Sequence, residues 1–266
     1  MKIFAISIVK NEADIIEQNL KDAERWADKI FVLDNGSTDG TWEIVQSLAS
    51  EKIVPWKQDN TAFHFGIRSQ IYHNFKHLAA KGDWWCFRLD ADEFYADDPR
   101  EFLSKVSRFH HFVVSDTIHF RLTHEDLELC NQRKGIEGIR YYEKHTWSEA
   151  RFFRHRDNLI WSNSEGTPKH MGVLHSKRIK IKHYQERSLD QLKNRIAVRI
   201  DARDNGHTGF KYATNQDLMS YIKDRNDLVY YSGNEDWKIT GPLIPLYQRW
   251  YNRLIKTFLH AIRAFK

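Results

Sequence analysis

The chain has 266 residues, of which 41% are hydrophobic, 29% charged and 14% aromatic. That balance excludes disordered, fibrous and collagen-like chains, and the length suits one large domain or two small ones. The net charge of +5 is uneven: six cations and no acid follow Trp237, which leaves the preceding body at −1.

The first ninety residues repeat one pattern. An apolar run over 3–9 predicts a buried strand and is too short for a signal peptide. Residues 13–26 place Ile15, Ile16, Leu20, Ala23 and Trp26 on one helical face. A second strand over 29–33 ends in Asp34, followed by the turn Asn35-Gly36-Ser37-Thr38-Asp39-Gly40. A helix over 41–48, a strand over 52–56 and a helix over 66–80 follow. The fourth strand, over 84–89, runs into Asp90-Ala91-Asp92-Glu93. Apolar strands alternating with amphipathic helices predict an α/β fold with a mainly parallel central sheet flanked by helices. Ligands of such sheets sit at the carboxyl ends of the strands. Lys10-Asn11-Glu12, Asp34-Asn35 and the Asp90–Asp92 segment are therefore expected in one crevice.

The second half is less regular. Strands are expected over 113–120, 139–142, 150–153 and within 174–184, and Ser188 with Gln191 signals the start of a helix. Without a linker or repeat, 1–240 reads as one α/β domain with a regular half (1–95) and a less regular half (96–240). Pro242 and Pro245 set off a tail, 241–266, that reads as a basic amphipathic helix. One side holds Trp250, Tyr251, Leu254, Ile255, Phe258, Leu259, Ile262 and Phe265. The other holds Arg249, Asn252, Arg253, Lys256, His260 and Arg263. Residues 246–266 are thus a candidate contact with an anionic membrane surface, the alternative being a helix packed on the body with its basic face in solvent. No stretch approaches the ~20 apolar residues that span a bilayer. Two cysteines, Cys86 and Cys130, cannot form a disulfide scaffold and point to a reducing compartment.

Asp90-Ala91-Asp92 is the sharpest local feature. In an extended stretch both carboxylates would face one spot, a hard oxygen site suited to Mg²⁺ or Mn²⁺. Asp34 could accept from a nucleobase or ribose, or simply brace its turn. Arg68 could reach a phosphate. Taken together, Ile8-Val9-Lys10-Asn11-Glu12, the block Val32 to Thr41, Arg68 and Leu89-Asp90-Ala91-Asp92-Glu93-Phe94 resemble family 2 glycosyltransferases. Arg151-Phe152-Phe153-Arg154 and His183-Tyr184 followed by Ser188 resemble the bacterial surface-polysaccharide and lipopolysaccharide branch.

The resemblance implies an A-type, Rossmann-like glycosyltransferase fold, a nucleotide-diphosphate sugar donor, a divalent metal and inversion at the anomeric carbon. It also implies a glycan or lipid-linked acceptor, met by a cytoplasmic enzyme peripheral on the inner face of the membrane. It would make 1–95 the nucleotide-sugar-binding half and 96–240 the acceptor-side half. By position, Val9, Asn11 and Glu12 would line the nucleoside pocket. Asp34 would bind base or ribose, Arg68 would lie near the diphosphate, and Asp90 near the ribose or sugar. Asp92 would ligate the metal, with His183 completing the site. Inversion needs a base for the acceptor proton. Glu165 is the first candidate and Glu149 the alternate. A sugar-phosphate nucleotidyltransferase, or a non-catalytic nucleotide-binding relative, is the competing reading. The former usually has a Gly-rich first loop, which Lys10-Asn11-Glu12 lacks. A nucleic-acid module is disfavoured by the −1 body, so no nucleic-acid partner is expected.

Overall fold

A computed structural model describes residues 1–127, 136–206, 217–233, 237, 241–262 and 264. Cys130, Lys238, Arg263, Phe265 and Lys266 lie outside the described residues. In chain order the elements are β1 (Ile3–Val9), α1 (Ile16–Glu24), β2 (Lys29–Asp34), α2 (Thr41–Ser47), β3 (Ile53–Gln58), α3 (Ile67–Phe75), β4 (Trp84–Cys86), β5 (Glu93–Tyr95), α4 (Pro99–Ser104) and β6 (Phe112–Arg121). Then come β7 (Tyr141–Trp147), β8 (Ala150–Arg154), β9 (Ile179–Tyr184), α5 (Leu189–Asp204), β10 (Val229–Tyr230), β11 (Gly241–Leu243) and α6 (Trp250–Ala261).

The amino-terminal strands form the parallel order β3-β2-β1-β4. Their period-two pattern fills both faces. Ile3, Ala5, Ile30, Val32, Trp84 and Cys86 pack on one side. Their chain neighbours Phe4, Ile6, Phe31, Leu33 and Trp85 pack on the other. Trp85 is fully buried, with Phe4 stacked 5.0 Å away, and Phe75 of α3 stacks on Phe31 at 3.9 Å. Beyond β4 the sheet continues through antiparallel pairs, β4-β8-β6-β7-β10. β9 runs parallel to β6 and antiparallel to β5, bringing His183 opposite Glu93. The Ser188 hydroxyl caps α5 by accepting from the Gln191 N–H at 3.1 Å, as its sequence predicts.

Two expectations are corrected. The fourth strand stops at Cys86, not Leu89. The Glu93 N–H donates to the Asp90 carbonyl, closing a turn, and the Asn19 side chain of α1 donates to the carbonyls of both Asp90 and Glu93. A turn aims residues i and i+2 differently, so Asp90 and Asp92 do not face one spot. The other concerns α6, whose basic side, expected in solvent if the helix packs on the body, is the side that meets the body. The helix packs on the body through its polar side, with Lys256 over the rings of Phe112 and Tyr247 and His260 5.2 Å from His111. Its apolar side faces outward, Trp250, Leu254 and Phe258 being 71%, 61% and 63% exposed.

Candidate active site

A cleft of about 670 Å³ opens at the carboxyl ends of β1 and β4 and is closed by β6, β9 and α5. Val9, Asn11, Glu12, Arg68, Asp90, Asp92, Glu149 and His183 all line it. Asn11 holds a left-handed backbone, φ +56°, which Asn tolerates better than most residues. Its N–H donates to the Ser37 hydroxyl and its Oδ1 accepts from the Thr38 N–H, both at 2.9 Å. The Glu12 N–H donates to Thr41 Oγ1 at 2.8 Å. The loop after β1 is thus laced to the turn after β2.

Asp34 is the exception. It is fully buried and does not line the cleft. Its Oδ1 accepts from the N–H groups of Gly36 and Ser37 and from Gln58 Nε2, at 2.8–3.0 Å. Its Oδ2 has no hydrogen-bond partner. The bracing alternative describes its place here, and direct contact with a base would need the turn to open. Glu165 also stands apart. It does not line the cleft; it is 3.6 Å from Lys169, and its loop packs against Phe65–Gly66. Its carbonyl accepts from Trp161 Nε1. Glu165, expected as the base, thus lies outside the cleft lining, whereas Glu149 is on the cleft wall.

Two charge networks divide the floor. In one, Arg151 is 1% exposed and lies 2.6 Å from Glu93, 3.5 Å from Glu149 and 3.6 Å from Asp90. Arg68 adds a 3.1 Å contact to Asp90, and Arg88 pairs closely with Glu149. Burial alone would raise the Glu149 carboxyl, but Arg151 and Arg88 outweigh it and pull it down to about 2. Glu93 is instead pushed up to about 7, because burial exceeds the pull of Arg151. In the other, Asp92 Oδ2 is 3.1 Å from His183 Nε2 and 3.4 Å from Arg195. Burial opposes ionisation of Asp92, yet His183, Arg195 and Arg187 hold it well below the usual carboxylate range. Glu12 is lifted to about 7 by burial despite Arg187, whose guanidinium also grips Asp14 at 2.7 Å.

Asp92 and His183 fit a divalent ion. An oxygen and a nitrogen 3.1 Å apart have the spacing of adjacent ligands about 2.1 Å from an octahedral centre. His183 Nδ1 is 3.9 Å from Glu93 Oε1, beyond hydrogen-bond reach, and has no hydrogen-bond partner. Among the described residues no group of three His, Cys, Asp or Glu side chains could hold a metal. The remaining positions would fall to substrate oxygens and water.

Sequence reasoning missed Arg151, Arg187, Arg195 and His119 as site residues. His119 lines the cleft and accepts at Nδ1 from Gln185 Nε2, 2.7 Å away. Gln185 Oε1 in turn accepts from Arg195 at 3.0 Å. Burial lowers His119 to about 3, so the ring is neutral with its proton on Nε2. Arg151 stands in the Arg151-Phe152-Phe153-Arg154 motif without an assigned role, and no local pattern marks the other three, because partners in these networks lie up to 175 positions away.

The sheet, its flanking helices and a cleft at the strand ends define a glycosyltransferase A-type α/β fold. The family model described as "Glycosyl transferase family 2" matches residues 5–177, and the chain belongs to that family. It is 37% identical over 93 residues to an "Uncharacterized glycosyltransferase" of Rickettsia bellii (strain RML369-C), covering 35% of this chain and 28% of that relative. Among solved structures it is similar to mannosyl-3-phosphoglycerate synthase from Rubrobacter xylanophilus, with a TM-score of 0.31 and 18% identity over 46% of this chain and 41% of the other. It is also similar to S. aureus TarS 1–349 in complex with UDP, with a TM-score of 0.36 and 13% identity over 76% and 65% of the two chains.

Proposed function

We propose that the protein transfers a sugar, with inversion, from a nucleotide-diphosphate sugar to a hydroxyl of a cell-surface glycan or its lipid-linked precursor, as in the surface-polysaccharide and lipopolysaccharide branch. The donor half is 1–95, the acceptor half 96–240, and the 241–266 tail seats the enzyme on the inner face of the cytoplasmic membrane. The observation that carries the reading is the Asp92–His183 pair, 3.1 Å apart in the same cleft as Asn11 and Glu12.

Val9, Asn11 and Glu12 border the nucleoside, and Asp34 keeps the Gly36–Ser37 turn in place behind it. Arg68 orients Asp90 toward ribose or sugar and adds positive charge near the diphosphate. Asp92 and His183 would hold Mn²⁺ or Mg²⁺, which would supply positive charge against the departing diphosphate. Arg195, beside Asp92, adds fixed positive charge to the same place. The acceptor oxygen attacks the anomeric carbon as the bond to phosphate breaks, and its proton passes to Glu149. Paired with Arg88 and Arg151, Glu149 is a weak base and takes the proton late, when the attacking hydroxyl has become acidic.

The test is thermal stabilisation by UDP, GDP, CMP and dTDP, and their sugars, with Mn²⁺, alongside release of free nucleotide. Stabilisation by one nucleoside diphosphate, lost in Asp92→Ala or without metal, is expected. If none of the panel shifts the wild-type melt, with or without metal, the reading fails.

A further inference from the structure

We infer that a second cavity, roofed by α6, is the acceptor groove, and that it takes a saccharide carrying a phosphate. The inference rests on reading the neighbouring cleft as the donor site. The cavity, about 780 Å³, shares Arg88, Trp147 and Glu149 with that cleft. The two spaces therefore meet at the carboxylate that would receive the acceptor proton. Phe87, Phe112, Tyr247, Arg249 and Lys256 are also among the residues that line the cavity. Aromatic walls with a few convergent polar groups are the usual lining of a small-molecule site.

Its charge selects the ligand. Arg249 and Lys256 contribute two cations, and among the described residues neither is ion-paired with a carboxylate. Lys256 is half-buried, its ammonium 5.8 Å from the centre of the Phe112 ring and 5.9 Å from that of Tyr247. Arg88 Nε is buried with no acceptor. The one carboxylate in the lining, Glu149, is already neutralised by Arg88 and Arg151. The half-buried Lys256 ammonium and the buried Arg88 Nε–H favour an anion, and the exposed Arg249 guanidinium on the same lining suits phosphate oxygens. The outward apolar face of α6 lies on the other side of the helix, so a general affinity for bilayers does not account for the inward Lys256.

The test uses the full chain with saturating UDP and Mn²⁺, so that phosphate sites in the donor cleft are filled. Binding of mannose 6-phosphate and of mannose is compared by saturation-transfer NMR. The phosphorylated sugar is expected to bind at least tenfold more tightly. The Arg249→Gln/Lys256→Gln double variant should lose that preference, and Arg249→Lys/Lys256→Arg should keep it. Melting with nucleoside diphosphate, read on the same samples, reports that the variants fold. Equal binding of the two sugars, or an undiminished preference in the Gln variant, overturns the proposal. If wild type ignores nucleoside diphosphates yet shows the phosphate preference and the Gln variant loses it, the donor-cleft reading falls and the groove stands.

Discussion

At the scale of single residues, position in the networks matters more than charge type. Glu149 and Glu165 are both carboxylates of the second half, yet only Glu149 lines the cleft. Glu149→Gln should lower kcat by about 10²–10⁴-fold with little change in nucleotide affinity, and Glu165→Gln should leave kcat within a few-fold. Steady-state assays with matched nucleotide titrations separate them. Gly66 is another such position, because a Cβ there would strike the backbone carbonyl of Asn163. Gly66→Ala should cost about 1–3 kcal/mol by forcing that loop away, read by urea denaturation. These contacts were not legible in the sequence. Asp90 and Asp92 were found by their spacing, but their divergence depends on Asn19, 71 residues from the carbonyl of Asp90 that it holds. Arg187, which no motif in the sequence marks, is buried between Glu12 and Asp14.

Among the elements, the strands whose edges are both covered were the easiest to read. β1 and β2 are unbroken apolar runs because neighbours flank them on both sides and both faces are buried. The last helix was legible as amphipathic but not in orientation, since a basic face can rest on a protein as well as in water. Four histidines gather where it docks. His110, His111, His175 and His260 are all shifted down, burial being the first cause of each. His111 falls from 6.5 to about 4, with Arg156, His260, Arg154 and His110 all opposing its charge. A depressed histidine stabilises the fold above its unfolded value and loses that contribution as pH falls through the folded one. Between pH 6.5 and 4, His111 should therefore cost about 1–2 kcal/mol after discounting for partial exposure. The melting temperature should drop over that window, and His111→Asn should flatten the slope. The outward side predicts the opposite pattern. Leu254→Glu with Phe258→Glu should change stability by less than about 0.5 kcal/mol but abolish co-sedimentation with anionic vesicles. Undiminished co-sedimentation would show that this face does not meet lipid.

For the molecule as a whole, the two halves are distinct in sequence character but joined in structure. β4 is parallel to β1 on one edge and antiparallel to β8 on the other, and β5 pairs with β9 from far along the chain. A fragment of residues 1–98 would expose the β4 edge with Trp84 and Trp85 and strip β5 of its partner, inviting aggregation. It should show no cooperative melt by circular dichroism; a sharp transition would mean that the first half folds alone. Regular βαβ repeats announced the first half. The second did not announce itself, because its strands pair across long separations and its helices are few.

The last helix is also moored. The Ser148 hydroxyl donates to Gln248 Oε1 at 2.8 Å, and Gln248 Nε2 returns a bond to the Ser148 carbonyl at 3.2 Å. Ser148 stands between Trp147 and Glu149. Any pull on the tail, from a surface it rests on or a molecule beneath it, is therefore delivered one peptide unit from the carboxylate at the junction of the two cavities. The far end of the chain is a lever whose short arm ends where the chemistry would occur.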